Sequence, residues 1–343
     1  MTAFAINPFK LLPILLVSAL LVSCGLFEPE EKSYASPRDL TWELTVISNP
    51  GASQTFLIDI WGSSPDNVYI TGHSSSGQGE LWHFDGESWR SIPFHEMEGG
   101  LIHGGIGMND IWGSSADDIW AVGDVFPGPT GMIVHYDGEK WSTELELDQP
   151  LHGIWGRKSN DIYAVGESGV VKHYNGSGWE HIQLPDSLSL QNVGGDRDDV
   201  FIYGGYWPFA NRQHFMFQLS GTDWHIQGHQ TDYDFRHNPQ FGQTIYSPKR
   251  GHIYSSNQFL FKWNGDNWDK IDTREYWMIV GGAAPDNLII AGSNGYGMHW
   301  NGEDWADLDL PADFSVMDIW VDKGEVFLTG YGAGGTTYVY HGK

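Results

Sequence analysis

One motif recurs along this chain of 343 residues and restricts its fold more than any other feature. Each copy opens with an Ile-Trp-Gly segment or a degenerate form of it, then passes through a polar turn of the Ser-Ser-Pro-Asp kind. An Asp-Gly or Asn-Gly pair follows later, shortly before a Trp. The copies begin at Ile60, Ile111, Ile154, Val193, Ile245, Val280 and Ile319. Self-similarity at a period of about 20–50 residues is typical of solenoids, propellers and other repeat architectures.

Each copy is predicted to form four short β-strands. The Ile-Trp-Gly segment and the run that follows it, Asp118–Gly123 in the second copy, have the alternating hydrophobicity of strands. A variable loop leads to a third strand, and the Asp-Gly or Asn-Gly pair favours a tight hairpin to the fourth, because type I′ turns need positive φ. Residues 40–343 divide into seven units of about 43 residues, which predicts an all-β, seven-bladed β-propeller of four-stranded blades.

The seventh copy lacks its last strand, because the chain stops at Lys343. At the other end, the segment Thr41–Val46 matches the strands that follow each Gly-x-x-Trp turn. We therefore expect this N-terminal strand to complete the last blade and close the ring, with Trp42 packed as Trp89 and Trp141 are in their blades.

The repeat resembles that of a family of bacterial secreted and lipid-anchored β-propellers with the consensus WGSSPDDVWAVG…HYDGxxW. The resemblance covers about residues 40–343. The Gly-His and Trp-Asp signature of WD40 blades is missing, as is the Ser-x-Asp-x-Gly-x-x-Trp box of sialidases. The family is diverse, so the resemblance implies the fold and leaves the ligand open.

The N-terminus resembles a bacterial lipoprotein signal. The apolar run Leu11–Val22 is shorter than the roughly 20 residues that span a bilayer, and it fits the core of a secretory signal peptide. Leu21–Cys24 resembles a lipobox, in which cleavage precedes the cysteine and its sulfur is diacylated. Cys24 is the only cysteine of the chain, so an intramolecular disulfide is excluded. An ordinary signal peptide with a chance cysteine is the alternative.

The lipobox resemblance implies three segments: a signal peptide over residues 1–23, a lipidated tether over 24–39 and the propeller over 40–343. Two acyl chains give stable anchoring where one does not. Gly25 after the cysteine favours the outer membrane. We therefore expect a lipid-anchored protein of the cell envelope, facing the periplasm or the surface.

The strong negative charge of the chain disfavours polyanionic partners. The chain has 18 Lys and Arg against 44 Asp and Glu, a formal net charge of −26. Nucleic acid and anionic lipid surfaces are therefore poor partners for the folded domain. The expected partners are a glycan or an envelope or extracellular protein, and the propeller is expected to be monomeric.

Propeller geometry places the loops on two faces. Loops joining strands one to two and three to four lie on one face, the turn face, and here they are short and uniform. Loops joining strands two to three, and each blade to the next, lie on the opposite face, the loop face. Its variable segments are His73–Glu80, His95–Met108, Asp124–Thr130, Gly205–His214, Gln227–Gln243 and Gly332–Thr336. Binding residues concentrate on variable loops of rigid scaffolds, so the loop face is predicted to bind the ligand.

Aromatic and cationic side chains gather on this face. The predicted ligand-binding residues are Phe126, Tyr206, Trp207, Phe209, Arg212, Tyr233, Phe235, Arg236, Tyr296 and Tyr331. Rings stack on the apolar faces of sugars or on partner side chains, while Arg fixes polarity. The alternative is that the long loops fold over themselves and bury these rings.

Residues that recur in every copy are predicted to be structural. This applies to the Trp of each Ile-Trp-Gly segment, to the Trp after each Asp-Gly turn, and to His83, His135 and His173 ahead of those turns. A polar cluster between His225 and His237 matches no known zinc spacing and is interpreted as a polar loop.

Three acids precede inner strands of neighbouring blades. Asp59, Asp110 and Asp318 belong to blades one, two and seven, which adjoin once the ring closes. Three carboxylates at the mouth of the central channel make a candidate Ca²⁺ site, and no other cofactor is expected. The alternative is that each Asp hydrogen-bonds its own turn.

The motifs of common enzymes are missing from the sequence. The chain has no Gly-x-Ser-x-Gly elbow, phosphate loop or His-Glu-x-x-His, and no catalytic residue is predicted. The favoured function is a non-catalytic binding or scaffolding module that recognises a glycan or a protein on the loop face. The alternative is a glycan-active hydrolase or lyase on the same face, because its two carboxylates need only meet in space.

Overall fold

The structure is a computed structural model that describes residues 36–49, 51–76, 79–94, 105–126, 128, 130–185, 187–208, 211–274, 276–322, 324–332 and 335–343. The predicted signal peptide, Cys24 and most of the tether lie outside the described residues, as does Phe209. The described strands form seven separate four-stranded antiparallel sheets, which confirms the seven-bladed β-propeller. No helix in these ranges combines the length and apolar character needed to cross a membrane.

The strands follow one another from the inside of each blade to the outside. The first strand of the chain is β1 (Trp42–Val46). Blade 1 holds β2 (Thr55–Ser64), β3 (Asn67–Ser74), β4 (Gly79–Phe84) and β5 (Trp89–Ser91). Blade 2 holds β6 (Gly105–Ser115), β7 (Asp118–Phe126), β8 (Thr130–Tyr136) and β9 (Trp141–Leu147). Blade 3 holds β10 (Leu151–Lys158), β11 (Asp161–Gly166), β12 (Val170–Tyr174) and β13 (Trp179–Gln183), with a 3₁₀ turn at Glu167–Gly169.

Blades 4 to 7 repeat this order. Blade 4 holds β14 (Ser189–Gly195), β15 (Val200–Tyr206), β16 (Gln213–Ser220) and β17 (Asp223–Thr231), followed by the helix α1 (Asp232–His237). Blade 5 holds β18 (Thr244–Lys249), β19 (His252–Ser256), β20 (Leu260–Trp263) and β21 (Trp268–Ile271). Blade 6 holds β22 (Met278–Ala284), β23 (Asn287–Gly292), β24 (Gly297–Trp300) and β25 (Trp305–Asp307). Blade 7 holds β26 (Ser315–Asp322), β27 (Glu325–Tyr331) and β28 (Thr337–Gly342).

The ring closes as the sequence predicts. The sheet of blade 7 has the order β26-β27-β28-β1, so the N-terminal strand supplies its outer strand. Trp42 lies opposite Gly342 and Val46 opposite Tyr338 in an antiparallel register. Trp42 is half-buried and packs against the apolar cluster shared by blades 6 and 7.

The recurrent Trp-Gly pair joins one blade to the next. The indole of Trp61 in blade 1 covers Gly113 in blade 2 so closely that a Cβ on Gly113 would lie 2.5 Å from the ring. The same contact joins Trp112 to Gly156 and Trp320 to Gly62. The Gly is therefore required by the close approach of the neighbouring ring, which explains why the two residues recur together.

A histidine on the third strand braces most blades internally. In blade 2, His135 Nε2 lies 2.8 Å from Asp118 Oδ1, and its ring stacks on Trp120 at 3.8 Å between centroids. Equivalent pairs are His83 with Asn67, His173 with Asp161, His299 with Asn287 and His341 with Glu325. Blade 4 keeps the contact with an amide, since Gln218 Nε2 donates to Asp199 Oδ1 at 2.8 Å. The structural role predicted for these histidines fits this geometry.

In blades 1 to 5, the Trp that opens the outer strand packs on an aromatic ring of the preceding blade. Trp141 of blade 2 meets Tyr69 of blade 1 edge-on, with centroids 6.0 Å apart. The corresponding pairs are Trp89 with Phe327, Trp179 with Trp120, Trp224 with Tyr163 and Trp268 with Phe201. Edge-on aromatic pairs add to the burial of apolar surface, so these rings hold adjacent blades together.

Candidate functional site

The strand register confirms the division into two faces. Gly86, in the turn between β4 and β5, lies beside Asp66, in the turn between β2 and β3, so these turns share the turn face. At the opposite end of the blade, the start of β2 pairs with the end of β3, with Thr55 opposite Ser74. The loop face is therefore the end at which the chain enters each blade.

Helix α1 is placed on the loop face by one buried ring. The helix occupies the crossing from blade 4 to blade 5, and Thr231 caps it by accepting a hydrogen bond from the backbone N–H of Asp234 at 3.2 Å. Phe235 is only 2% exposed and stacks on His214, with centroids 3.8 Å apart and planes 4° from parallel. This contact holds the helix against the blade and leaves Tyr233 70% exposed.

A cavity of about 640 Å³ opens between α1 and the end of blade 4. We call it the arginine cavity, and its described lining residues are Asn211, Arg212, Gln213, Thr231, Asp232, Tyr233 and Arg236. Three residues that the sequence predicted as ligand-binding, Arg212, Tyr233 and Arg236, thus share one cavity although they come from different segments.

The two arginines of this cavity differ in their contacts. Arg236 Nε lies 3.2 Å from Asp232 Oδ2, and Asp232 Oδ1 lies 3.4 Å from His214 Nε2. Arg212 is exposed, and within the described ranges its guanidinium has no ion pair or hydrogen bond. The cavity therefore holds one engaged and one unengaged guanidinium in an otherwise strongly acidic protein.

The pKa shifts of His214 and Asp232 leave the two arginines as the positively charged groups of the arginine cavity. Burial lowers the pKa of the His214 imidazole against the opposing influence of Asp232, and the charges of Arg236 and Arg212 lower it further. Desolvation acts to raise the pKa of Asp232, but the contacts with His214 and Arg236 outweigh it and the pKa is lowered. At neutral pH the imidazole is therefore neutral and the carboxylate ionised.

A second cavity of about 520 Å³ lies on blades 5 and 6. We call it the tryptophan cavity, and its described lining residues are Gln258, Tyr276, Trp277, Ser293 and Asn294. Trp277 is 47% exposed, a large fraction for an indole. Tyr276 is held in place by Tyr296, on which it stacks at 4.7 Å, and by Asn294 Nδ2, which donates to its hydroxyl at 2.8 Å.

One side chain connects the two cavities. With its amide oriented to satisfy both neighbours, Gln258 donates to the backbone oxygen of Arg236 at 3.0 Å and accepts from Trp277 Nε1 at 3.3 Å. The arginine cavity and the tryptophan cavity are thus neighbours on the loop face, separated by the width of a single glutamine.

The other predicted ligand-binding residues fall into two groups. Phe126, Tyr206 and Tyr331 are exposed at the ends of β7, β15 and β27, but none is among the described residues that line either cavity. Trp207 and Phe235 differ, because both pack on His214 and only Trp207 retains partial exposure. These two rings therefore pack beneath the loop face. This agrees with the alternative interpretation that the long loops bury their aromatic rings. Tyr296 is half-buried and positions Tyr276.

Sequence reasoning missed Trp277. Trp277 lies in the short segment before blade 6, whereas the predicted site was drawn from the long interblade segments. It occupies neither of the two repeat positions at which tryptophan is predicted to be structural. Trp120 and Trp263 also lie outside those positions and are buried, so sequence position alone does not distinguish Trp277.

The three acids of the candidate Ca²⁺ site meet around the central channel, where they bond from blade to blade. Asp318 Oδ2 accepts from Ile60 N at 3.0 Å, Asp59 Oδ2 from Ile111 N at 2.9 Å, and Asp110 Oδ2 from Ile154 N at 2.8 Å. In blade 4, Asn192 Oδ1 accepts from Ile245 N at 3.0 Å in the same way. Each of these side chains therefore bonds the next blade, and Asp110 Oδ1 also accepts locally from Ile111 N at 2.8 Å.

The raised pKa values of Asp110 and Asp318 agree with hydrogen bonds between these carboxyl groups and Asp59. Burial raises the pKa of Asp110 and of Asp318 well above the ordinary carboxyl value, and hydrogen bonds and charge from Asp59 raise both further. Across the described residues, no group of three or more His, Cys, Asp or Glu side chains is arranged to hold a metal ion. The geometry supports an interblade bonding role for the three acids.

No family model matches the chain. Among curated proteins, the "Immune protein Tsi7" of Pseudomonas aeruginosa is 25% identical over 193 residues, which make up 55% of this chain. The match spans 56% of that relative's own length.

The similar solved structures match this chain over almost the whole propeller, but at low sequence identity. YCF48 from Cyanidioschyzon merolae has a TM-score of 0.60 at 16% identity, covering 88% of this chain and 98% of that one. A structure of YCF48 bound to D1 peptide has a TM-score of 0.63 at 14% identity, covering 90% and 99%. At these identities the likeness concerns the fold alone.

Proposed function

We propose that this chain is a non-catalytic, protein-binding propeller that holds an extended segment of a partner protein across the arginine and tryptophan cavities. The observation that carries the proposal is that Gln258 bonds both to the exposed Trp277 and to Arg236. Arg236 lines the arginine cavity together with the unengaged Arg212. Tryptophan, tyrosine and arginine dominate the binding energy of protein interfaces, and here all three are presented on one surface.

The two cavities suit different side chains of one peptide. A guanidinium binds a carboxylate through paired charge-assisted hydrogen bonds, so Arg212 and Arg236 fit an Asp, a Glu or a terminal carboxylate. Trp277 and Tyr276 offer flat apolar rings that fit an aliphatic or aromatic side chain. The partner segment is therefore expected to carry an acidic residue near an apolar one.

One of the similar structures supports a protein partner. The YCF48 structure with D1 peptide has a peptide bound to a propeller of the same overall fold. It does not fix the partner of this chain.

The lipobox supports an envelope location for this function. Acylation at Cys24 would hold the propeller at a membrane on the tether of residues 24–39, and Gly25 favours the outer membrane. A partner that meets the loop face there would be an envelope or extracellular protein.

The arginine cavity favours binding over glycan hydrolysis. Retaining and inverting glycosidases need a pair of carboxyl groups at the scissile bond. Of the described residues lining the arginine cavity, Asp232 is the single acid, and it is engaged with Arg236 and His214. Binding of a glycan by Trp277 and Tyr233 is the competing possibility, and a glycan array distinguishes it from binding of a peptide.

Peptide selection tests the proposal. A random peptide library is selected on the full-length protein in detergent and counter-selected on the Arg212→Ala/Trp277→Ala double variant. We expect peptides in which an acidic residue lies within a few positions of an apolar one, and each single substitution should weaken their binding. If wild type and double variant enrich the same peptides, the proposed surface is incorrect.

The matched control is Arg90→Ala. Arg90 is an exposed arginine on the outer strand of blade 1, where it pairs with Asp85 at 2.9 Å. Its removal changes the net charge by the same amount as Arg212→Ala and should leave peptide binding intact. A glycan array on the same variants completes the test, because a glycan lost only with Trp277→Ala would replace the protein ligand by a sugar.

Membrane anchoring is tested at Cys24. In a bacterial host, Cys24→Ser should give an unprocessed or soluble product, because the sulfur that receives the diacylglyceryl group is gone. The measurement is partition between membrane and soluble fractions after a carbonate wash. A substituted protein that stays with the membranes would contradict the lipid anchor.

A further inference from the structure

Blade 5 departs from the polar pairing that braces the other blades. In blade 3, Asp161 begins the second strand, and His173 on the third strand bonds to it at 2.9 Å. The register of blade 5 places His252 at the start of β19 and Lys262 at the position of His173, since Tyr254 pairs with Lys262 as Tyr163 does with His173. Blade 5 has thus exchanged the anion or amide of this pair for a second basic group.

The exchange leaves two basic groups without an anion. His252 Nδ1 is buried and has no hydrogen-bond partner. Among the described residues, Lys262 forms no ion pair, and its ammonium group lies 5.9 Å from the centre of the Tyr254 ring. Burial lowers the pKa of His252, the charges of Lys262 and Lys249 lower it further, and only Asp196 acts against them. An anion at this position would pair with Lys262 and would offset the lysine charges that lower the pKa of His252.

A cavity of about 200 Å³ opens at the same place. At five other boundaries the outer-strand Trp of one blade packs on an aromatic ring of the preceding blade. Between blades 5 and 6, the equivalent Tyr254 and Trp305 instead line this cavity. Its other lining residues are His252, Lys262, Ile271, Pro285, Leu288 and Trp300. Basic groups therefore meet a mostly apolar wall.

We propose that this cavity binds a small organic carboxylic acid, with its carboxylate against Lys262 and His252 and its ring or chain between Trp300, Trp305 and Leu288. An apolar cavity of about 150 Å³ can hold benzene, so the volume here suits an acid with a single ring. The site lies between blades 5 and 6 and shares no lining residue with the arginine or tryptophan cavities. It is a binding activity additional to the proposed recognition of a partner.

Calorimetric titration with phenylacetate tests the site on the full-length protein in detergent. We expect saturable binding of one equivalent, because the acid supplies both the missing anion and an apolar body. The uncharged isostere phenylacetamide should bind at least about tenfold more weakly, since it lacks the charge-assisted contact. An absence of saturable phenylacetate binding, or equal affinity for the amide, would overturn the proposal.

Two variants locate the binding. Lys262→Met keeps most of the side-chain length and removes the charge, so the affinity for phenylacetate should fall by about tenfold or more. Lys158→Met, at an exposed lysine of blade 3 outside the cavity, is the matched control and should leave the affinity unchanged. Equal affinities for wild type and Lys262→Met would exclude this site.

Restoring the usual pair gives an independent check. The double substitution His252→Asp with Lys262→His recreates the Asp–His pair of blade 3, and it should abolish phenylacetate binding while the melting temperature stays at or above that of wild type. Retention of binding by this folded variant would contradict the proposal. If the double variant fails to fold, the Lys262→Met titration decides. Arg212→Ala should bind phenylacetate normally, which separates this site from the proposed partner surface.

Discussion

Blade 2 and blade 4 form corresponding hydrogen bonds, within the blade and to the next blade, with different residues. Blade 2 carries the full repeat set, with Trp120 stacked on His135 and Asp110 bonded to the next blade. Blade 4 makes the corresponding hydrogen bonds with the amides of Gln218 and Asn192. The blade that departs from the repeat is also the one that leads into α1 and the arginine cavity.

The difference shows where chemistry is available in a repeat protein. A residue that recurs in every blade is occupied by a contact that every blade needs, such as the cover of Trp61 over Gly113. Where the repeat is broken, side chains such as Arg212, Trp277 and Lys262 are not held by a recurrent contact and are available to bind a ligand.

The largest effect is expected from Trp120→Ala. Trp120 is 2% exposed, stacks on His135 and meets Trp179 of the next blade. Removing a buried Trp typically costs about 3–5 kcal/mol of folding free energy. Trp277→Ala, at an exposed tryptophan outside the repeat, should barely change stability. Denaturant titration of both variants measures the contrast, and similar losses would remove the distinction between repeat and non-repeat tryptophans.

The next effect concerns binding without a loss of stability. Once a peptide has been selected, Arg212→Ala or Trp277→Ala should weaken it by about 2 kcal/mol or roughly thirtyfold, as for an anchor at a hot spot. Melting temperatures should stay close to wild type, because neither side chain is buried. Fluorescence anisotropy with the labelled peptide gives the affinities. A variant that loses binding only because it unfolds would contradict the assignment.

A smaller effect is expected from the brace of blade 6. Burial lowers the pKa of His299 from 6.5 to about 4, and the charge of Arg38 adds to the shift. As pH falls from 6.5 towards 4, the unfolded chain takes up a proton that folded His299 does not, so this site makes folding less favourable. His299→Gln copies Gln218 of blade 4 and removes the titration. Melting temperature should then vary less over this window, and an unchanged pH profile would contradict the shift.

The smallest effect is expected at the central channel. The pKa of Asp110 is raised in the folded protein, so the folded state binds a proton that the unfolded state releases as pH rises above about 4. This group therefore lowers stability at neutral relative to acidic pH. Asp110→Asn copies Asn192 and keeps an oxygen for Ile154 N. Its melting temperature should exceed that of wild type near pH 7 and match it near pH 4, whereas a deficit at pH 7 would favour a charged role.

The sequence predicted the blades well because each blade obeys the same local rules. The alternating strands recur in all seven copies and the Asp-Gly or Asn-Gly turn in five, so a degenerate copy can be interpreted from the others. Ring closure by β1 followed from counting strands. The lipid anchor at Cys24 remains a prediction, because it lies outside the described residues.

The candidate site was predicted only in part, for a physical reason. Arg212, Tyr233 and Arg236 were among the residues predicted on the loop face, and they share a cavity. Whether a loop aromatic faces solvent or core depends on tertiary packing, and Phe235 turned inward onto His214. The bonds that Asp59 and Asp110 make to the next blade could not be read from their own turns, because their partners lie more than 40 residues away.

The closure of blade 7 sets an order on folding. Blades 1 to 6 are each built from one continuous stretch of chain, whereas the outer strand of blade 7 comes from the opposite end of the sequence. Contacts between distant segments form late and slowly. Until β1 pairs with β28, the chain presents an open sheet edge that can recruit other strands. Closure is therefore possible only after β28 has been synthesised, and a product truncated before it would leave the edge of β27 unpaired.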